Sequence, residues 1–241
     1  MLIVKVSGVN GLGKTNGVRN AGNVLIEEIN KVERVEEIHV DNDNLDEQEK
    51  LIERNSRDLF LEEDKIIFLG GDHSISYPIG KAFFKKYPSG KLVVFDAHAD
   101  CMPAMKEPTH EEWLRGLVDN FDVSGDRIMI IGLNKVEPEE KEFIEEKGIK
   151  TIKLNEVGKL KEFVFSGEVY VSFDIDIFSF DLVQATRYPE GVASLEEINA
   201  LLDVVVKSNW KGMDLVEVNT DKEGLEDTVE IARGVLDKFI S

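Results

Sequence analysis

Short, almost continuous apolar runs alternate along this chain with longer amphipathic stretches. The runs Leu2–Val6, Glu37–Val40, Lys65–Leu69, Leu92–Phe95, Arg127–Leu133, Ile149–Leu154, Val169–Asp176 and Met213–Val218 predict strands. Several are apolar almost throughout, as parallel strands buried on both faces tend to be. Between them a helical period predicts helices over Val18–Asn30, Asp46–Phe60, Tyr77–Tyr87, Glu111–Asp119, Glu139–Lys147, Leu195–Lys207 and Leu225–Phe239, with a weaker pattern over Leu154–Phe163. Ser194 is placed to cap its helix, with Glu197 completing a capping box. Strands alternating with helices imply an α/β fold with a parallel sheet covered on both faces. The pattern leaves open whether that sheet closes into a barrel. In either case the functional site lies at the carboxyl ends of the strands. The sequence contains no Pro/Gly/Ser-rich linker, internal repeat or low-complexity tract, so residues 1–241 read as a single domain.

Composition narrows the function. A hydrophobic content of 42% is enough for a buried core, and a formal net charge of −19 with no basic run disfavours nucleic-acid binding, which needs basic patches. Cys101 is the sole cysteine, so no intrachain disulfide can form, as fits a reducing compartment. The N-terminus reads as a strand and lacks the basic start and long apolar stretch of a signal peptide. No run approaches the roughly 20 apolar residues of a membrane span, and a cytoplasmic protein is expected.

Gly8-Val9-Asn10-Gly11-Leu12-Gly13-Lys14-Thr15 satisfies the phosphate-loop pattern and follows a strand. Such a loop needs a helix starting at its Lys-Thr, so that amides and the helix dipole face the phosphates. Asn16-Gly17 interrupts at once, and the helical pattern starts near Val18. A P-loop nucleotide-binding protein is therefore the lesser reading beside a glycine-rich surface loop.

Three other segments carry more chemistry. Gly70-Gly71-Asp72-His73-Ser74, Asp96-Ala97-His98-Ala99-Asp100 and Ser172-Phe173-Asp174-Ile175-Asp176 each follow an apolar strand. In extended chain, alternation would project Asp96, His98 and Asp100 from one face, and Asp174 and Asp176 likewise. Carboxylates and imidazoles converging at one sheet edge repel unless cations compensate them, and a carboxylate can bridge two cations. An oxygen-rich set with two histidines and no thiolate suits manganese.

These segments resemble, in the same order, the three metal motifs of the ureohydrolases, the family of arginases and agmatinases. The resemblance runs from about Leu69 to the C-terminus. It implies a three-layer α/β/α fold with an open eight-stranded parallel sheet, and two Mn2+ per subunit. His73 and Asp100 would bind one ion, His98 and Asp176 the other, with Asp96 and Asp174 bridging. His110, in Thr109-His110-Glu111-Glu112-Trp113, resembles the family's proton-shuttling histidine. Glu217, in Asp214-Leu215-Val216-Glu217-Val218-Asn219, resembles the glutamate that holds a guanidinium. The implied reaction is hydrolysis of a guanidino C–N bond to urea and an amine by a metal-bridging hydroxide, with Asp100 handling the proton. The family also implies a homo-oligomer, trimeric or hexameric.

The chain departs from the family pattern beyond the third motif. Ile177-Phe178-Ser179-Phe180 replaces an Asp-Pro region, and Ala185-Thr186-Arg187-Tyr188-Pro189 stands where a turn of small residues is usual. Arg187 is a candidate for binding a substrate carboxylate, or else a surface or oligomer residue. Agmatine or arginine-like compounds, a formiminoglutamate-like substrate or another guanidino acid, and a non-catalytic metal-binding scaffold are the readings carried forward.

Overall fold

Neighbouring apolar runs pair in parallel throughout. The computed structural model describes residues 1–29 and 34–240. Its elements are β1 (Leu2–Val6), α1 (Ala21–Glu27), β2 (Val35–Ile38), α2 (Leu45–Glu62), β3 (Ile66–Leu69), α3 (Ser76–Lys86), β4 (Lys91–Phe95) and α4 (Trp113–Asp119). There follow β5 (Ile128–Ile131), α5 (Pro138–Lys147), β6 (Lys150–Ile152), α6 (Val157–Val164), β7 (Glu168–Asp174), α7 (Leu195–Val205), β8 (Asn209–Val216) and α8 (Leu225–Ile240). Every predicted strand and helix has its counterpart. Asn30, the expected end of the first helix, lies outside the described residues.

The strands form one sheet in the order β2-β1-β3-β8-β7-β4-β5-β6. Its edges, β2 and β6, stay apart, so the sheet is open. Successive side chains on each strand enter opposite cores, as a period of two requires. Ile67 and Leu69 pack with α1, α6, α7 and α8, whereas Ile66 and Phe68 pack with α2, α3, α4 and α5. Three layers result.

Differences from the predicted boundaries have local causes. β2 pairs Val35 with Ile3 and ends at Ile38, so His39 follows the strand as an exposed side chain. β5 stops at Ile131 because Gly132 turns into the left-handed region at φ +97°. The capping box forms as predicted: Glu197 N–H donates to Ser194 Oγ (3.3 Å), and Ser194 N–H donates to Glu197 Oε2 (3.0 Å).

The four central strands end level with one another. Leu69, Leu215, Phe173 and Phe95 pair in a single row across β3, β8, β7 and β4. All four side chains lie on one face, and the Phe95 and Phe173 rings stack at 5.2 Å. Beyond this row the chain leaves the sheet, at Gly70-Gly71 after β3 and at Asp96 after β4.

Gly71 is at φ +79°, where a Cβ would lie 2.5 Å from the Gly8 carbonyl oxygen. Gly71→Ala should therefore cost about 2 kcal/mol or more, combining left-handed strain with a backbone clash. Gly234, inside α8, has open space around it. Gly234→Ala should gain about 0.5–1 kcal/mol. Urea unfolding midpoints check both, and a Gly71→Ala protein as stable as its parent would contradict the strain argument.

Candidate metal centre

Each of the three motifs turns on an aspartate that caps its own loop. Asp72 Oδ1 accepts from Ser74 N–H (3.1 Å), Asp96 Oδ1 from His98 N–H (2.7 Å) and Asp174 Oδ1 from Asp176 N–H (2.8 Å). The same two-residue Asx turn therefore occurs three times. This corrects the expectation of strand alternation. β4 has ended before Asp96, Ile175–Ile177 is a tight 3-10 turn, and Asp100 sits at φ +49°. Turn geometry, not pleating, makes the side chains converge.

The structure brings all six candidate side chains together. His73 Nδ1 lies 2.9 Å from Asp100 Oδ2, 3.1 Å from Asp96 Oδ2 and 3.3 Å from Asp174 Oδ2. His98 Nδ1 lies 2.9 Å from Asp176 Oδ2 and 3.4 Å from Asp96 Oδ1. Two groups among the described residues are suited to a cation: His73, Asp96 and Asp100, and Asp96, His98 and Asp176. Within each, donor atoms lie within 4.8 Å of one another, and Asp96 belongs to both. His73 Nδ1 and Asp96 Oδ2 are buried without a hydrogen-bond partner, as fits atoms whose lone pairs face a cation.

Further partners hold these side chains from behind. His73 Nε2 lies 2.9 Å from Ser172 Oγ, which donates to Asp214 Oδ1 (2.7 Å). Ser76 and Tyr170 hydroxyls donate to Asp214 Oδ2. Trp113 Nε1–H donates to Asp100 Oδ2 (2.8 Å), and His98 Nε2 meets Glu190 Oε2 (3.0 Å). Asp214 had a signal that sequence reasoning passed over, since a carboxylate inside the apolar run Met213–Val216 needs buried donors. Glu190 and Trp113 had none, because nothing in the residues around them marks His98 and Asp100 as their partners.

The cluster floors a cleft of about 190 Å³, walled by Met102, His110, Glu111, Lys135, Glu137 and Tyr188. Glu217 enters it from the end of β8 at φ +66°, a strained conformation for a side chain other than glycine. Its N–H donates to the Gly71 carbonyl (3.1 Å), and its Oε1 accepts from His73 N–H (3.0 Å). Oε2 is buried and unpartnered. His110 Nδ1 stands 3.6 Å from Glu217 Oε1, and its ring stacks on Tyr188 at 5.8 Å. Arg187 is not brought in. It is exposed, with its guanidinium 5.5 Å from the centre of the Tyr188 ring.

The phosphate-loop pattern is consumed internally. Thr15 Oγ1–H and Asn10 N–H both donate to Asp72 Oδ2, at 2.6 and 2.8 Å. A carboxylate thus takes the donors that a phosphate would need. No helix starts at Lys14-Thr15; a 3-10 turn at Asn16–Val18 precedes α1. The nucleotide reading falls with that geometry.

Electrostatics follow from crowding. Burial opposes charge on His73, yet the carboxylates of Asp100, Asp174 and Asp96 crowded around its ring outweigh it and raise its pKa well above the usual imidazole range. His98 is raised in the same way by Asp176 and Asp96. Burial and the Asp96 charge push Asp174 up to about 6. Burial, with Asp174 and Asp96 beside it, likewise raises Asp176. Burial and the charges of Asp174 and Asp72 raise Glu217.

Comparison with known proteins places this geometry. Residues 13–241 match the family described as the arginase family. Agmatinase of Bacillus subtilis is 30% identical over 192 residues, covering 76% of this chain and 66% of that protein. The chain thus spans just under two thirds of that relative's length. Among solved structures, Trypanosoma cruzi formiminoglutamase, described with Mn2+, superposes with a TM-score of 0.86 at 18% identity, covering 99% of this chain and 91% of that one. Bacillus cereus arginase superposes with a TM-score of 0.83 at 21% identity, covering 100% of this chain and 99% of that one. At these identities the structures speak for the fold.

A cation entering this cluster displaces protons held by the two imidazoles, whose pKa values the surrounding carboxylates raise. Near pH 7, Mn2+ binding should release about one to two protons, and affinity should rise with pH. Calorimetric titration in buffers of different ionisation heat measures this release. Heats identical in all buffers would contradict it.

Proposed function

The chain belongs to the arginase family, and on that premise we propose that it hydrolyses a C–N bond of a guanidino compound to urea and an amine. The observation that carries this reading is a shared one. Two cation-suited groups meet at Asp96, in a cleft also lined by Glu217, which carries a buried, unpartnered carboxylate oxygen.

In this proposal His73 and Asp100 would hold one divalent cation and His98 and Asp176 the other, with Asp96 and Asp174 contributing their carboxylates to the pair. Manganese is the favoured metal, because the donors are oxygen-rich with two imidazoles and no thiolate. When bound, such a pair supplies water activated near neutral pH and positive charge to offset the charge that develops in the reaction.

The chain's own residues supply the rest. Glu217 Oε2 accepts N–H groups of the planar cation, a fork that a carboxylate matches well. Asp100 takes the proton from the attacking water and returns it to the departing amine. His110, stacked on Tyr188 beside Glu217, moves protons between the cleft and solvent.

The cleft also bears on the rest of the substrate. Glu111 and Glu137 line it, and Lys135, the one lysine or arginine lining it among the described residues, is paired with Glu190 at 3.1 Å. That lining favours a cationic or neutral tail, agmatine-like, over an arginine-like or guanidino-acid tail. A formimino compound, hydrolysed to formamide and an amine, is the nearest alternative, and its acid forms meet the same repulsion. Arg187 is exposed and does not line the cleft, its guanidinium lying 5.5 Å from the centre of the Tyr188 ring. The proposal includes a homo-oligomer, on the family resemblance, and a cytoplasmic location, which a lone cysteine fits. No helix among the described residues is long and apolar enough to cross a membrane.

Metal removal and one substitution test it. Chelation should abolish release of urea from a guanidino panel, and Mn2+ should restore it. Glu217→Gln should lower kcat/KM about 100-fold or more while cations still bind, since unpairing a buried charge costs about 2–5 kcal/mol. Full turnover by a metal-free preparation would sink the proposal, as would a protein that binds Mn2+ yet turns over no member of a guanidino and formimino panel.

A further inference from the structure

We propose that Glu190 is the positioning residue for His98, and that it ties the cation on that side to the loop walling the cleft. The inference rests on the two-cation reading above. An imidazole that ligates through Nδ1 must keep its proton on Nε2, and an acceptor at Nε2 fixes both tautomer and ring orientation. Both histidines of the cluster have such a partner, but of different kinds. His73 is held from inside the sheet by Ser172 and Asp214, all of them buried. His98 is held from outside by Glu190 Oε2 at 3.0 Å, with the His98 side chain 22% exposed against 1% for His73.

Glu190 is itself anchored on several sides. Its carbonyl accepts from Asn134 Nδ2 (2.8 Å), and its carboxylate pairs with Lys135 Nζ (3.1 Å). The next residue, Gly191, presses so closely on Asp176 that a Cβ would lie 2.1 Å from the Asp176 carbonyl oxygen. Ser179 and Ala193 close the base of the loop, Ser179 N–H donating to the Ala193 carbonyl (3.0 Å). Glu190 N–H donates to the Tyr188 carbonyl (2.8 Å), and Tyr188 meets His110 face-on and His98 edge-on. One short segment thus orients a cation-side imidazole and sets an aromatic wall of the cleft. Removing the Glu190 carboxylate frees His98 to turn or change tautomer, and leaves the His73 side untouched.

The experiment is calorimetric Mn2+ titration of the parent, Glu190→Ala and Glu190→Gln proteins, with unfolding temperatures measured without metal. Glu190→Ala should weaken one of two binding events about 10- to 100-fold, the usual effect of losing an outer partner of a ligating imidazole, and leave the other unchanged. Glu190→Gln keeps an acceptor oxygen and should recover most of the loss. Metal-free unfolding temperatures should agree across the three, and kcat at saturating Mn2+ should return towards the parental value. Parental affinity at both events in Glu190→Ala would overturn the inference, and so would a Glu190→Gln protein as weak as Glu190→Ala. A parent that binds no Mn2+ would instead refute the metal reading, and this inference with it.

Discussion

Carboxylates forced together away from water repel strongly, and the whole architecture answers to that constraint. Asp96, Asp100, Asp174 and Asp176 are buried around two imidazoles at the end of a parallel sheet. Strand register delivers them there. The row Leu69–Leu215–Phe173–Phe95 brings the four central strands to one level, so loops with no proximity in sequence begin side by side. Tight Asx turns then aim the side chains inward. Such an arrangement is unfavourable for an isolated polypeptide, and bound cations are the ordinary compensation.

The buried carboxylates divide by how fully they are hydrogen-bonded. Asp72 accepts from Asn10, Thr15 and Ser74, and Asp214 from Ser76, Tyr170 and Ser172. These two are saturated and act as framework, each joining segments far apart in sequence. Asp96 Oδ2 and Glu217 Oε2, by contrast, are buried with nothing to accept from. Buried polar atoms are rarely left unpaired without a reason, so the contrast separates carboxylates that hold the fold from those offered to a ligand. Burial alone draws no such line.

Much of this was legible in the chain. Near-continuous apolar runs revealed parallel strands, because burial on both faces leaves no polar alternation to hide them. Asp96, His98, Asp100, Asp174, Asp176 and His73 stood out because acids and histidines directly after an apolar run have few structural uses. The route by which they meet was not legible: alternation was the natural inference, and self-capping turns replaced it. Glu190 escaped because an exposed-looking glutamate after proline carries no local mark. The phosphate-loop pattern pointed the wrong way for a related reason, since a regular expression does not say which partner will take the loop's donors. Here Asp72, distant in sequence, takes them.

The position of β8 has a consequence for how the molecule is assembled. The last strand in sequence lies in the middle of the sheet, between β3 and β7. Until residues 209–216 are in place, the strands can form only two half-sheets, β2-β1-β3 and β7-β4-β5-β6. His73 belongs to the first half, the five aspartate and histidine positions from Asp96 to Asp176 to the second, and Glu217 to the strand that joins them. The contact of His73 with Glu217 spans 144 residues, a separation typical of late and slow steps in folding. During synthesis from the N-terminus, therefore, the cleft cannot exist before residues 209–217 have emerged, and closing the sheet and completing the site are one event.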